Sequence, residues 1–169
     1  MKNRLFATGA LVLVLMFGMT VIGCNNDSSD DSKDTWSKAT SFSQVNGRWK
    51  APPSYSATSQ GMTFSGTTNN YIITFNAAKK TMSVSGSTTV TISGRNIDEY
   101  WADQRTSLEY MNQQDGITVT INDTKHSYTV TYNNVSQTLT DQQLSSILGI
   151  QINQNASKLK MASEGIEKF

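Results

Sequence analysis

From Gly47 onward, much of the chain alternates apolar and polar residues with a period of two. Ile117-Thr118-Val119-Thr120-Ile121 and Tyr128-Thr129-Val130-Thr131-Tyr132 put Ile, Val or Tyr at every second position with threonine between. This is the pattern of a strand with one face buried and one solvated. Asn122-Asp123-Thr124-Lys125 separates the two segments and has turn composition, so the pair reads as a β-hairpin. Tyr71-Ile72-Ile73-Thr74-Phe75 and Met82-Ser83-Val84-Ser85 form a second hairpin around Asn76-Ala77-Ala78-Lys79, and Val90-Thr91-Ile92 continues the alternation beyond Gly86. Met62-Thr63-Phe64, Arg48-Trp49-Lys50 and Leu159-Lys160-Met161 are further strand candidates.

Between these blocks the period changes. Ile97, Tyr100, Trp101, Leu108 and Met111 fall on one helical face, and Asn96 followed by Glu99 has the spacing of a capping box. The spacing predicts a helix over 97–112. Thr140-Asp141-Gln142-Gln143 is a second cap, leading into Leu144, Ile147 and Leu148 before a glycine stop at Gly149. Pro52-Pro53 marks an extended turn. No long internal repeat points to a solenoid. The expectation is a mainly β domain over 46–169: an antiparallel sheet or barrel of about seven to eight strands, with one or two short helices covering the sheet or closing its open end.

The N-terminus has a different character. Lys2 and Arg4 precede an apolar run from Leu5 to Met19 broken only by Thr8 and glycines, and Asn25 to Ser32 are all Asn, Asp or Ser. A positive start followed by an apolar segment is the architecture of an export signal. Val21-Ile22-Gly23-Cys24 resembles the lipobox of bacterial lipoproteins, in which a small residue precedes a cysteine that is acylated before the signal is removed. The resemblance implies a signal peptide at 1–23, cleavage before Cys24 and a membrane anchor through lipid on Cys24, where several acyl chains hold firmly although one binds marginally. Asn25 stands where aspartate serves some bacteria as an inner-membrane retention signal, so an outer membrane or cell-surface location is favoured over the inner membrane. Residues 24–45 then read as the lipidated cysteine and a flexible polar tether.

Asn46-Gly47-Arg48-Trp49-Lys50 opens the strand-rich region, and Gly47 with Trp49 resembles the Gly-x-Trp start of lipocalin-like barrels. That likeness implies a β-barrel cup for a small apolar ligand, with Trp49 as a plug at its base.

Composition narrows the remaining chemistry. With 14 Lys plus Arg against 13 Asp plus Glu, there is no field to recruit nucleic acid, and the adjacent Lys79-Lys80 pair belongs to a turn. Cys24 is the only cysteine, so no intramolecular disulfide or cysteine zinc cluster forms, and no metal or cofactor is expected. His126 is the only histidine and reads as an exposed turn residue. Asp98, Glu99, Asp103 and Glu109 gather near the helix as capping and solvating groups. Tyr100, Trp101 and Tyr110 are candidate ligand-stacking residues, although aromatics at helical spacing more often form core. The resulting expectation is a lipid-anchored, non-enzymatic binding module with a lipocalin-like cup. A surface that binds an envelope or host protein or a glycan is the alternative, and a divergent hydrolase the remoter one.

Overall fold

The computed structural model describes residues 35–59, 61–146, 149–154 and 159–161. The segment 1–23 expected to be a signal, Cys24 and the polar residues 25–33 lie outside them. Nine strands and three helices are formed among the described residues. In chain order they are β1 (Trp36–Lys38), α1 (Phe42–Val45), β2 (Gly47–Lys50), β3 (Ser54–Ser59), β4 (Met62–Asn76), β5 (Thr81–Gly94), α2 (Ile97–Met111), β6 (Ile117–Asn122), β7 (Ser127–Thr138), α3 (Asp141–Ser146), β8 (Ile150–Asn153) and β9 (Leu159–Met161). The mainly β, antiparallel architecture agrees with the alternation in the sequence.

Two sheets are present. The smaller has the order β1-β8-β9, and the larger has the order β2-β4-β5-β7-β6, with β3 also paired to β4. Among the described residues no pairing joins β6 to β2 or β3, so the larger sheet is open where a lipocalin-like barrel requires closure. The chain leaves β5 through α2 and returns by the β6–β7 hairpin, which places β7 next to β5 and leaves β6 at the edge. That edge is covered. The outward N–H of Ile117 donates to the Gln114 carbonyl at 3.2 Å, and that of Val119 donates to the Asn112 side chain at 2.7 Å. Strand edges left bare recruit other strands, and these two bonds occupy part of that template.

The contacts group the chain into two compact units. The first contains described residues of 35–48, 74–82 and 138–161. Ala39, Phe42, Val45, Met82, Leu144 and Ile150 have no exposed surface, and Phe42 meets Phe75 edge-on at 6.2 Å. The folded part therefore begins by Trp36, ten residues before the expected boundary at Asn46. Trp36, Ser37 and Lys38 pair with Asn153, Ile152 and Gln151, and α1 buries both Phe42 and Val45. At α3 the expected cap forms: Thr140 Oγ1 accepts the Gln143 N–H at 3.1 Å, while the Gln143 side chain accepts the Thr140 N–H at 2.8 Å. Ile147 and Leu148 lie outside the described residues, and Gly149 at φ +54° takes the left-handed conformation expected of a glycine stop. Lys80 donates to both oxygens of Asp141, which also accepts the Phe42 N–H.

The second unit contains 49–73 and 83–137. The β6–β7 hairpin expected from the sequence forms, with Ile117, Val119 and Ile121 opposite Tyr132, Val130 and Tyr128. In β4 the inward residues switch parity: Gly66 is buried, and then Tyr71 and Ile73 are. The switch coincides with Asn70 at φ +47°. Opposite it stands Gly86, whose φ is +96° and where an added Cβ would lie 2.1 Å from the Asn70 carbonyl oxygen. Only glycine fits that close approach of two backbones. Helix α2 buries Trp101, Gln104, Leu108 and Met111, one stripe at helical spacing. Its expected cap is not made. Asn96 is left-handed at φ +58° with no side-chain cap bond, and its backbone carbonyl accepts the Tyr100 N–H instead.

Candidate functional site

The candidate residues of α2 are set by the helix period. Trp101 lies on the inward stripe and is 6% exposed. Its ring meets His126 edge-on at 5.4 Å and lies tilted against Tyr128 at 6.5 Å. Its indole N–H would be orphaned by burial, and it donates to Asp123 Oδ1 at 2.9 Å. Tyr100 is half-buried, packs edge-on against Phe64 at 5.7 Å, and donates its hydroxyl to Gln104 Oε1 at 3.4 Å. Tyr110 is 42% exposed. Nine residues separate it from Trp101, about 13 Å along a helix axis, so the three aromatics do not share one stacking platform. Trp101 belongs to the core.

A polar cluster surrounds the indole. Arg105 donates to Asp123 Oδ2 and to Glu109 Oε1, both at 3.0 Å, and these two carboxylates raise its pKa. His126 takes a left-handed backbone at the end of the turn and places Nε2 3.3 Å from Asp98 Oδ1. The histidine is thus half-buried against tryptophan and is not the exposed turn residue expected from sequence. Asp98 itself is 93% exposed, and Glu99 and Asp103 are also exposed. Asp98, Glu99 and Asp103 are thus solvated groups on the helix, and the two carboxylates that meet, Glu109 and Asp123, do so on the Arg105 guanidinium. Among the described residues no group of His, Cys, Asp or Glu is arranged to hold a metal, and no helix is long and apolar enough to cross a membrane.

The interior of the second unit holds a set of residues that the sequence reading did not assemble. Tyr55, Tyr71, Tyr128 and Tyr132 are each 9% exposed or less, and Thr88 and Gln104 are buried with them. Tyr71 and Tyr132 pack edge-on at 5.5 Å, and Tyr55 shares a hydrogen bond with Thr88 Oγ1 at 3.3 Å. The Tyr55 ring lies over its cross-strand partner Gly66, filling the space a side chain would take. Burial pushes the Tyr128 and Tyr132 phenols far above their ordinary range, reinforced by neighbouring phenols. Tyr55 and Tyr100 shift upward for the same first reason. These groups stay protonated and neutral. Strand alternation marks Tyr128 and Tyr132 as inward, but Thr88 and Gln104 carry no signal in a sequence read one element at a time. Trp49 is half-buried in β2.

The opposite surface of β5, β7 and β6 is lined with hydroxyls. Thr118 and Thr120 stand opposite Thr131 and Thr129, and Thr129 Oγ1 is 2.8 Å from Thr89 Oγ1 on the next strand. No protein-family model, curated protein or solved structure matches the chain.

Proposed function

We propose that this chain is an exported lipoprotein, anchored by acyl chains on Cys24, whose β-rich domain works as an interaction module at the cell envelope and not as an enzyme. The observation that carries the reading is the junction Val21-Ile22-Gly23-Cys24 between an apolar segment and a run of Asn, Asp and Ser. The folded part supports a module that meets its partner at the surface. Its second unit is filled with its own aromatic side chains, Tyr71, Tyr128 and Tyr132 among them, so the exterior is what remains for recognition.

The second reading is the lipocalin-like cup. It is favoured by the polar atoms gathered among the same tyrosines, since phenols, Thr88 and Gln104 could orient an uncharged ligand in an otherwise apolar interior. Outer-membrane or cell-surface placement belongs to the same proposal.

The anchor is tested by expressing the full chain in bacteria supplied with labelled palmitate. The wild type should take up label and sediment with membranes, and Cys24→Ala should do neither. A labelled, membrane-held variant would refute the lipid anchor. Mass spectrometry of molecules released from the purified protein separates the two binding modes: a stoichiometric apolar molecule favours the cup, and its absence favours the surface.

A further inference from the structure

We infer that the hydroxyl-lined face of the larger sheet binds a neutral polysaccharide chain. The inference rests on the reading of the protein as an interaction module and names the surface and the partner. Antiparallel pairing sets Thr118 and Thr120 of β6 beside Thr131 and Thr129 of β7. The Thr89–Thr129 contact brings β5 alongside, with Thr91 one step further on the same face. Three adjacent strands thus each present a Thr-Val-Thr segment, with valine pointing inward and threonines outward. Ser127 and Asn122 continue the pattern as a facing pair, and the odd positions of β5 from Ser83 to Ser93 are all serine or threonine.

Three properties of this face select the partner. First, it is electrically neutral. No Lys, Arg, Asp or Glu occupies an outward position of 83–93, 118–122 or 127–131, although the chain has 27 such residues (14 basic and 13 acidic). Arginine and lysine are the side chains that bind phosphate, sulfate or carboxylate most strongly, and this face presents neither, so an uncharged partner is the complement. Second, each hydroxyl both donates and accepts hydrogen bonds, which matches a partner covered in hydroxyls of the same dual character. Third, the side chains are short and stiff. Threonine is restricted at χ1, and the 2.8 Å contact between Thr89 and Thr129 orders two of them in advance. Little rotamer freedom is lost when such a surface is engaged.

The sheet twist narrows the class further. Adjacent strands turn by roughly 20–25°, so a rigid crystalline plane would meet one row of hydroxyls at a time. A single flexible glycan can follow the twist from β5 to β6. The outward threonines at 91, 118 and 120 are exposed, and those at 89, 129 and 131 are half-exposed. With no aromatic ring on the face each contact is weak, and retention gains from many copies tethered to one membrane.

The test is affinity electrophoresis of the full chain in detergent, through native gels containing a dissolved neutral α-glucan, β-glucan or mannan, or a carboxylated polysaccharide. At least one neutral polymer should retard the wild type, and the carboxylated polymer should not. Thr89→Val with Thr129→Val keeps the branched shape and removes two hydroxyls, and should weaken retardation about tenfold with an unchanged melting temperature. Thr120→Lys, at an exposed position, should weaken it as well and serves if the double variant is unstable. Failure of every neutral polymer, retention by the carboxylated one alone, or undiminished retardation of folded variants would overturn the inference. Cys24→Ala should be retarded as the wild type is, so loss of the anchor and loss of the glycan surface are read separately.

Discussion

Replacing Trp101 tests whether it is core or a recognition residue. Its ring is 6% exposed and packed between His126 and Tyr128, so Trp101→Ala removes a large buried side chain and leaves a cavity, at about 3–5 kcal/mol. Trp101→Phe retains much of the apolar contact and loses the indole donor to Asp123. The Asp123 side chain is 53% exposed, so water can take over the vacated oxygen, and that loss should stay near the ordinary range for one hydrogen bond, about 0.5–1.5 kcal/mol. Phenylalanine should therefore recover more than half of what alanine loses. Domains have about 5–15 kcal/mol in total, and at a urea slope of about 2 kcal/mol/M the alanine variant should unfold about 2 M earlier than the wild type. Circular dichroism against urea, on wild type and both variants, gives the three midpoints. If Trp101→Ala unfolds within about 0.5 M of the wild type, the ring is not part of the core and the ligand-stacking role regains its force. If phenylalanine is as costly as alanine, the Asp123 bond outweighs the packing and the energetic argument is wrong.

Other residues give independent tests. Gly86→Ala forces a side chain to φ +96° and onto the Asn70 carbonyl, and should lose more than about 2 kcal/mol; Gly47→Ala, at φ +128° with no atom within 4 Å, should lose less, as differential scanning calorimetry would show. Asn112→Ala frees the Val119 N–H at the sheet edge, and sedimentation velocity should reveal concentration-dependent self-association absent from the wild type. Hydrogen bonds from Lys80, then from the Phe42 N–H, lower the Asp141 carboxyl from its usual 3.8. That stabilisation is present above the unfolded value and is lost as pH falls below about 3.8 through the folded pKa. Asp141→Asn should accordingly lower the neutral-pH melting temperature and flatten its decline between pH 4 and 2; an identical acid slope in variant and wild type would show that the pair is not linked to folding.

The hairpins and α2 were legible because burial of one face imposes a period, and the period survives in the letters. Ile117 to Ile121 and Tyr128 to Tyr132 carry it without interruption, and the register follows from it. Where side chains are small and polar the signal fades. β3 reads Ser-Tyr-Ser-Ala-Thr-Ser, with Tyr55 its one large side chain. β1 is one tryptophan and two exposed polar residues, and exists because β8 supplies its hydrogen bonds. Asn96 and Glu99 matched a cap by spacing, yet Asn96 takes a left-handed backbone and makes no side-chain cap bond. The site was less legible than the fold. Asp123 looked like an ordinary turn residue, and only the packing of α2 against β6 and its turn gives it the Trp101 indole and the Arg105 guanidinium. The threonines were visible as a composition, whereas their arrangement required knowing that β7 lies between β5 and β6.

That insertion joins the edge protection to the proposed recognition surface. A domain without an internal disulfide cannot lock its strands covalently, and a free edge on β6 would invite pairing with any extended chain. Asn112 and Gln114 occupy the outward N–H groups of Val119 and Ile117, which narrows the backbone route to strand addition. The side chains of the same strand point out of the sheet plane and are left open at Thr118 and Thr120. A partner on this side is therefore met through hydroxyls and methyl groups, and the interaction can be tuned by single surface substitutions without unpairing the sheet. This separation predicts that Asn112→Ala and Thr120→Lys act independently: the first promotes self-association and leaves polysaccharide retardation of the monomer intact, and the second weakens retardation in a chain that stays monomeric.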